Sequence, residues 1–466
     1  MVPKRVLLLL LVTTLGLRCA RNTERVALDE PITPPGTVER EPYLVTISDT
    51  SAVLRWSTYT PEQPGIRFWA EEAEGDTTEL VLEEMGRDHT FQMLSLLPAT
   101  EYTYQIQIND TLWSDAAGFR TFPKPGSKEP FAFLAFGDSG LRSAGQLAAA
   151  DQLNQEEAAL IIHMGDVAYV DGTVQEFTDN HFGVYAPLLK RVPFFPAPGD
   201  HDLRTAGGAP YIDAFTPPGG RPSSDSPLYY SFTYGSVRFI SLDSKSSEEH
   251  AVEHGYLGDP SSEQYQWLLR QLSAARADPN IDWTMVYFHH PPYSASTGFG
   301  GHGSDLAIRR TISPLMDGYR VLLVFNGHDH DYQRSRPIRG NALAEDGEGT
   351  VYFVSGGGGG RTTFRGTGSD WFTAFSEQLY HYLRVQVDHY TVRIEAVNVD
   401  GNVFDEYEVT IPEDQRKTWT REAEPLALPG VGADEAAGTG GEAAAGSTDT
   451  GSPPQSPPPG TPPDTL

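Results

Sequence analysis

The stretch Leu160-Ile161-Ile162-His163-Met164-Gly165-Asp166-Val167-Ala168-Tyr169 decides how the rest of the chain is read. Its apolar run predicts a strand buried on both faces, and Asp166 and Tyr169 place a carboxylate and a phenol where that strand ends. Alone, Gly165-Asp166 is a turn signal. Four further polar clusters each come after an apolar, strand-like run: Gly137-Asp138-Ser139-Gly140, Gly199-Asp200-His201-Asp202, His289-His290-Pro291-Pro292-Tyr293 and Gly327-His328-Asp329-His330. We expect these five clusters at the strand ends of one sheet. That edge then collects at least three aspartates and several histidines. So many carboxylates repel one another unless cations lie among them, a condition that a pair of metal ions satisfies. Asp166 is the expected bridge between the two ions.

Around this nucleus the period of the sequence changes. From Glu41 to about Phe122, short alternating runs predict strands with one buried face, among them Ala52-Val53-Leu54-Arg55-Trp56, Ile66-Arg67-Phe68-Trp69 and Glu101-Tyr102-Thr103-Tyr104-Gln105-Ile106. Phe122-Pro123-Lys124-Pro125-Gly126 breaks that pattern and marks a boundary. Beyond it, continuous apolar runs, beginning with Phe131-Ala132-Phe133-Leu134-Ala135-Phe136, alternate with helical stretches at Ser143 to Leu160 and about Ser262 to Ala277. Such alternation predicts an α/β domain over residues 127–412, with ligands gathered at the carboxyl ends of its strands. From about Thr350 to Ile411 the chain returns to strands. Gly356 to Gly360 lacks the Lys-Ser/Thr that completes a P-loop, and is expected to be a flexible loop rather than a phosphate cradle.

The chain carries 34 Lys and Arg against 63 Asp and Glu, a formal net charge of −29. With no basic surplus, it is not expected to hold nucleic acid or an anionic membrane through general attraction. Lys4 and Arg5, then the apolar run Val6 to Val12, predict an export signal over residues 1–20. That run is too short to span a bilayer, which takes roughly 20 apolar residues. A single cysteine, Cys19, excludes an internal disulfide. Cys19 resembles the lipid-modified cysteine of a bacterial lipoprotein signal, although Gly16-Leu17-Arg18 departs from the small residues expected before it. A lipid anchor at Cys19 and removal of the whole segment are the two alternatives, and both imply export to the cell envelope or beyond. Residues 21–40 read as a linker. Residues 413–466, rich in Ala, Gly and Glu and then in Ser, Pro and Thr, cannot bury enough apolar surface to offset the cost of ordering.

The order Gly-Asp-x-Gly, Gly-Asp-x-x-Tyr, Gly-Asp-His-Asp, His-x-Pro, Gly-His-x-His resembles that of the calcineurin-like metallophosphoesterases. Tyr169, three residues after Asp166, narrows the resemblance to the purple acid phosphatase branch. Residues 41–122 are similar to the fibronectin type III-like domain of that branch, with Trp56 as core tryptophan and Leu97 to Tyr102 as tyrosine corner. The resemblance implies a four-layer α/β/β/α sandwich preceded by an all-β sandwich. It implies Asp138, Asp166, Tyr169 and His330 around Fe(III), and Asp166, His289 and His328 around a second, divalent ion of iron, zinc or manganese. Asp200 stands where the family usually has asparagine, and is expected to join the second set. A metal-bridging hydroxide would then hydrolyse small phosphate monoesters.

His201 is the expected acid or phosphate-orienting residue, with Asp202 orienting its ring. His302, in the glycine-rich stretch Thr297 to Gly303, shares that work, and His290 is a substrate-side candidate. His163 is expected as a core or supporting histidine. Two other readings use the same residues: a phosphodiesterase or nucleotidase, and a degenerate, non-catalytic surface-binding module.

Overall fold

The computed structural model describes residues 38–411 apart from 72–76, 82–84, 110–111, 217–219, 221–222, 225, 246–256, 297–300 and 363–369, together with 413 and 416. All of these belong to one compact unit. The expected export signal, Cys19, most of the expected linker and nearly all of the C-terminal stretch lie outside the described residues.

Among the described residues the chain opens with β1 (Val38–Ile47), β2 (Ser51–Glu62), β3 (Gly65–Ala70), β4 (Thr78–Val81), β5 (Gly86–Leu94), β6 (Glu101–Asn109), β7 (Leu112–Trp113) and β8 (Ala117–Arg120). β1, β2 and β5 make one sheet; β4, β3, β6 and β7 make another, with β8 also paired to β6. Alternation decides which side chains are buried. Leu54 and Trp56 of β2 join Phe68, Phe91 and Tyr104 in a common core, Trp56 stacked on Phe91 at 5.5 Å. The phenol oxygen of Tyr102 accepts a hydrogen bond from Leu97 N–H at 2.9 Å, which closes the tyrosine corner.

The remaining strands are β9 (Phe131–Phe136), β10 (Leu160–His163), β11 (Phe194–Pro196), β12 (Tyr230–Tyr234), β13 (Val237–Ser241), β14 (Trp283–Tyr287), β15 (Leu323–Asn326), β16 (Tyr332–Ser335), β17 (Ile338–Arg339), β18 (Ala342–Leu343), β19 (Val351–Ser355), β20 (Thr373–Glu377), β21 (His381–Asp388), β22 (Thr391–Asn398) and β23 (Val403–Thr410). They build two large sheets, while β17 and β18 pair with each other apart from both. One has the order β11-β10-β9-β21-β22-β23 and the other β12-β13-β14-β15-β19-β16-β20. The five polar clusters therefore do not share one sheet, contrary to the sequence expectation. Periodicity identifies strands but not their partners, and the chain changes sheets between β11 and the β12–β13 hairpin.

The sheets pack face to face. Phe133 of β9 meets Phe239 of β13 and Phe325 of β15 edge-on, at 5.3 and 6.2 Å between ring centroids. Phe195 of β11 stacks on Phe232 of β12 at 4.0 Å. Within β9, Phe133 and Ala135 enter this central core while Leu134 and Phe136 enter a second one under the helix Ala144–Leu153. A strand buried on both faces needs the continuous apolar run seen in its sequence. That helix stops at Leu153, short of the expected Leu160, because Leu160 to His163 pair with β9 and β11 instead. On the far side, the helix Glu263–Ala277, capped by Ser262, is tied to β12 by the Ser231–Gln271 hydrogen bond.

Candidate metal centre

β9, β10 and β11 run parallel and in register, with Phe136 beside His163 and His163 beside Pro196. Asp138, Asp166 and Asp200 consequently leave the same sheet edge. On the facing sheet, β14 and β15 align Tyr287 with Phe325 and send out His289, His328 and His330. Carboxylates come from one sheet and imidazoles from the other, and they meet at the common edge. Asp138, Asp166 and His328 have φ of 59°, 55° and 72°. Left-handed backbone costs about 1 kcal/mol or more at a non-glycine residue, so the surroundings must hold it. Asp138 N–H bonds Gly165 O at 2.9 Å, and His328 N–H bonds Asp138 Oδ2 at 2.9 Å.

Glycines let these loops approach. A Cβ on Gly199 would strike Asp166 Oδ1. The run Gly356 to Gly360 is a wall of the site and not the flexible loop expected from its composition. All five residues are buried, Gly358 and Gly360 N–H bond Gly137 O and Asp138 O at 3.0 and 2.6 Å, and a Cβ on Gly360 would lie 2.6 Å from the His330 ring. Close backbone approach, rather than freedom, is what selects glycine there.

The first group of donors centres on Tyr169. Its hydroxyl donates to Asp138 Oδ1 at 3.0 Å and lies 3.0 Å from His330 Nε2, while His330 Nδ1 faces Arg361 O at 2.8 Å. Burial, with the Asp138 and Asp166 charges, pushes the Tyr169 phenol well above its ordinary range. Burial resists protonation of His330, but its hydrogen bond to Asp138 outweighs that and pushes it up to about 9. Both shifts have one meaning: three electron-rich atoms face one another, and protons stand where a cation fits.

The second group centres on His289. Its Nδ1 faces Met164 O at 2.8 Å, which turns Nε2 toward Asp166 Oδ2 and Asp200 Oδ1, each at 3.5 Å, and toward His328 Nδ1 at 3.1 Å. His328 Nδ1 is 3.6 Å from Asp200 Oδ1. Burial opposes a charge on His289, yet Asp166, Asp138 and Asp200 hold its pKa well above the usual value. Burial and the other histidines keep His328 well below it. The structure also draws in His290, whose Nδ1 meets Ser244 Oγ at 3.0 Å. One ligand atom from each of Asp200, His289, His290 and His328 lies within 4.8 Å of the others. Asp138, Asp166 and His289 form an overlapping group of the same compactness.

Asp202 does not orient His201. Its buried carboxylate accepts from Val167, Ala168 and Gly199 N–H at 2.9 to 3.2 Å, stapling the loop after Asp166 to the loop before Asp200. Three backbone donors occupy its oxygens, and the sequence offered only adjacency. His201 is set by Val170 O, 2.5 Å from Nδ1, and by Arg204, 3.1 Å from Nε2; its own N–H donates to Asp166 Oδ1 at 2.9 Å. His302 stacks over His328 with centroids 4.0 Å apart, and its N–H bonds Asp329 Oδ1 at 2.7 Å. Sequence reasoning missed Arg204 and the support that Asp329 and Asp331 give to the site. Asp329 accepts from Ser294 Oγ at 2.5 Å, and Asp331 pairs with Ser296 and Gln333. His163 is a supporting residue, bonded to Ser139 Oγ at 3.0 Å. Arg334 pairs with Asp405 at 2.7 Å, away from any substrate role.

Residues 131–332 match the family model of calcineurin-like phosphoesterases. An uncharacterized protein of Mycobacterium tuberculosis is 31% identical over 310 residues, which cover 57% of this chain and 57% of that protein. A relative in Arabidopsis thaliana, named probable inactive purple acid phosphatase 27, is 26% identical over 372 residues, 69% of this chain and 58% of that protein. The chain thus spans 57 to 58% of the length of these two relatives. Among solved structures, purple acid phosphatase PPD1 from yellow lupin (Lupinus luteus) seeds matches with a TM-score of 0.70 at 20% identity, covering 83% of this chain and 78% of that one. Residues 131–332 are thus similar to calcineurin-like phosphoesterases, and the described residues share the fold of a solved purple acid phosphatase. In sequence and in fold the chain is similar to proteins named purple acid phosphatases, and an all-β region precedes residues 131–332.

Proposed function

We propose that the protein is an exported binuclear phosphatase acting on small phosphate monoesters. The observation that carries this reading is the overlap of two donor groups, Asp138–Asp166–His289 and Asp200–His289–His290–His328, at His289, whose Nε2 lies 3.5 Å from Asp166 Oδ2. The donor chemistry fits a metal pair: Asp138, Tyr169 and His330 offer hard anionic atoms and one imidazole, suited to Fe(III), with Asp166 between the groups. Asp200, His289 and His328 suit a divalent ion of iron, zinc or manganese. When bound, the metals supply Lewis acidity toward phosphoryl oxygens and a nucleophile from water.

The chain's own groups do the rest. His289 and His330 are fixed by Met164 O and Arg361 O, so that each aims Nε2 inward. His201 lies beside Tyr169 and His302 over His328, with ring centroids 4.4 and 4.0 Å apart. His302 can orient a phosphoryl oxygen or pass a proton to the departing alkoxide, while His201, whose Nε2 faces Arg204, helps to place the phosphoryl group. Asp329 holds the backbone of His302 and Gly303, and so sets the position of the loop that faces the substrate.

The test compares hydrolysis of p-nitrophenyl phosphate and bis(p-nitrophenyl) phosphate by the metal-loaded protein. Faster monoester turnover supports the proposal; faster diester turnover moves it to a phosphodiesterase. A non-catalytic reading has one observation behind it, the inactive designation of the Arabidopsis relative. It predicts no turnover of either substrate after iron and zinc reconstitution. Export is tested by mass spectrometry of the mature N-terminus, where a start beyond Cys19 without lipid excludes the anchor.

A further inference from the structure

Asp200 divides its carboxylate between two neighbours. Oδ1 faces His289 Nε2 and His328 Nδ1 at 3.5 and 3.6 Å, while Oδ2 accepts from Arg204 Nη2 at 3.0 Å. The same Nη2 lies 3.1 Å from His201 Nε2, and Arg204 Nη1 donates to Val170 O at 3.1 Å. Val170 O also meets His201 Nδ1 at 2.5 Å, so the ring carries its proton on Nδ1 and presents Nε2 to the guanidinium as an acceptor. One side chain therefore holds the Asp200 carboxylate, the His201 ring and the backbone just past Tyr169. It does so while 40% exposed at the mouth of the site. Lys245 Nζ, 3.5 Å from Asp200 O, adds a second cation.

The charge balance gives this arrangement its sense. Three carboxylates line a site that must admit an anion, in a chain of net charge −29. A neutral side chain at position 200 would add no charge; a carboxylate adds one, and a guanidinium on its outer oxygen cancels it in a directed, charge-assisted hydrogen bond. Resting on the metallophosphatase reading, we propose that Arg204 is a positioning and specificity-determining residue. It forms an electrically neutral unit with Asp200, fixes the His201 ring, and offers the edge of its guanidinium to the phosphoryl group of a monoester.

The experiment is calorimetric binding of inorganic phosphate to metal-loaded protein, with metal content measured on the same samples. Arg204→Gln should weaken phosphate binding about tenfold, the size of one lost hydrogen bond between charged groups, while two metal ions per chain are retained. In turnover the same variant should raise KM more than it lowers kcat. Arg204→Lys should recover part of the binding, since the charge returns without the planar fork. Phosphate binding unchanged in Arg204→Gln overturns the inference. Should Arg204→Gln not fold, Arg204→Lys decides: wild-type phosphate binding there removes the need for the planar fork. A metal-loaded wild type that binds no phosphate defeats the functional reading itself, and this inference with it.

Discussion

The Tyr169 arm and the Asp200 arm of the centre are built on different physical plans. Asp138 and Tyr169 are buried, and the phenol is clasped between Asp138 and His330 at equal distances of 3.0 Å. Asp200 is a quarter exposed and shares its outer oxygen with a solvent-facing guanidinium. A closed arm with a fixed anionic donor set selects what metal it holds. An open arm with a compensating cation is free to meet a substrate. On the proposed function, metal identity belongs to one side of the site and anion recognition to the other, with Asp166 between them.

Removing the shared residue should break the comparison most severely. Asp166→Ala is expected to lower kcat about a thousandfold or more, with metal content below one ion per chain, because it strips a donor from both groups. Metal analysis beside steady-state kinetics checks it. Next in size is the staple between the arms. Asp202→Ala leaves three buried N–H groups unpaired and should cost about 3 kcal/mol of stability, read by chemical denaturation.

The smallest effect is one of pH. Burial lowers His163, behind the closed arm, to about 3 from its ordinary 6.5, so the unfolded chain takes up a proton that the folded chain refuses. Stability present above pH 6.5 is then lost as pH falls toward 3, by about 2 kcal/mol at pH 5 from this one group. Denaturation midpoints measured between pH 7.5 and 5 should fall accordingly.

Much of this centre was legible in the chain because its chemistry is local. A Gly-Asp pair after an apolar run places a carboxylate at a strand end whichever sheet the strand joins, and Asp138, Asp166, Tyr169, His289, His328 and His330 all converge as their motifs imply. The tyrosine corner at Tyr102 was legible for the same reason. What stayed hidden depends on partners distant in sequence. The division of the five clusters between two sheets comes from strand pairing, which periodicity does not encode. Gly356 to Gly360 are buried because Asp138 and His330 need the room, a fact no composition reveals. Adjacency suggested that Asp202 serves His201, but the backbone of Val167 and Ala168 claims it. Arg204 carried no motif at all, and only its distance to Asp200 gives it a role.

The central claim, two metal ions held between the sheets with Tyr169 on one of them, meets its most direct test in metal analysis and visible absorption of wild type and Tyr169→Phe after iron loading. We expect two metal ions per wild-type chain and a visible phenolate-to-iron band that disappears in Tyr169→Phe. A wild-type chain that takes up no metal, or a Tyr169→Phe protein with an unchanged band, would contradict the account.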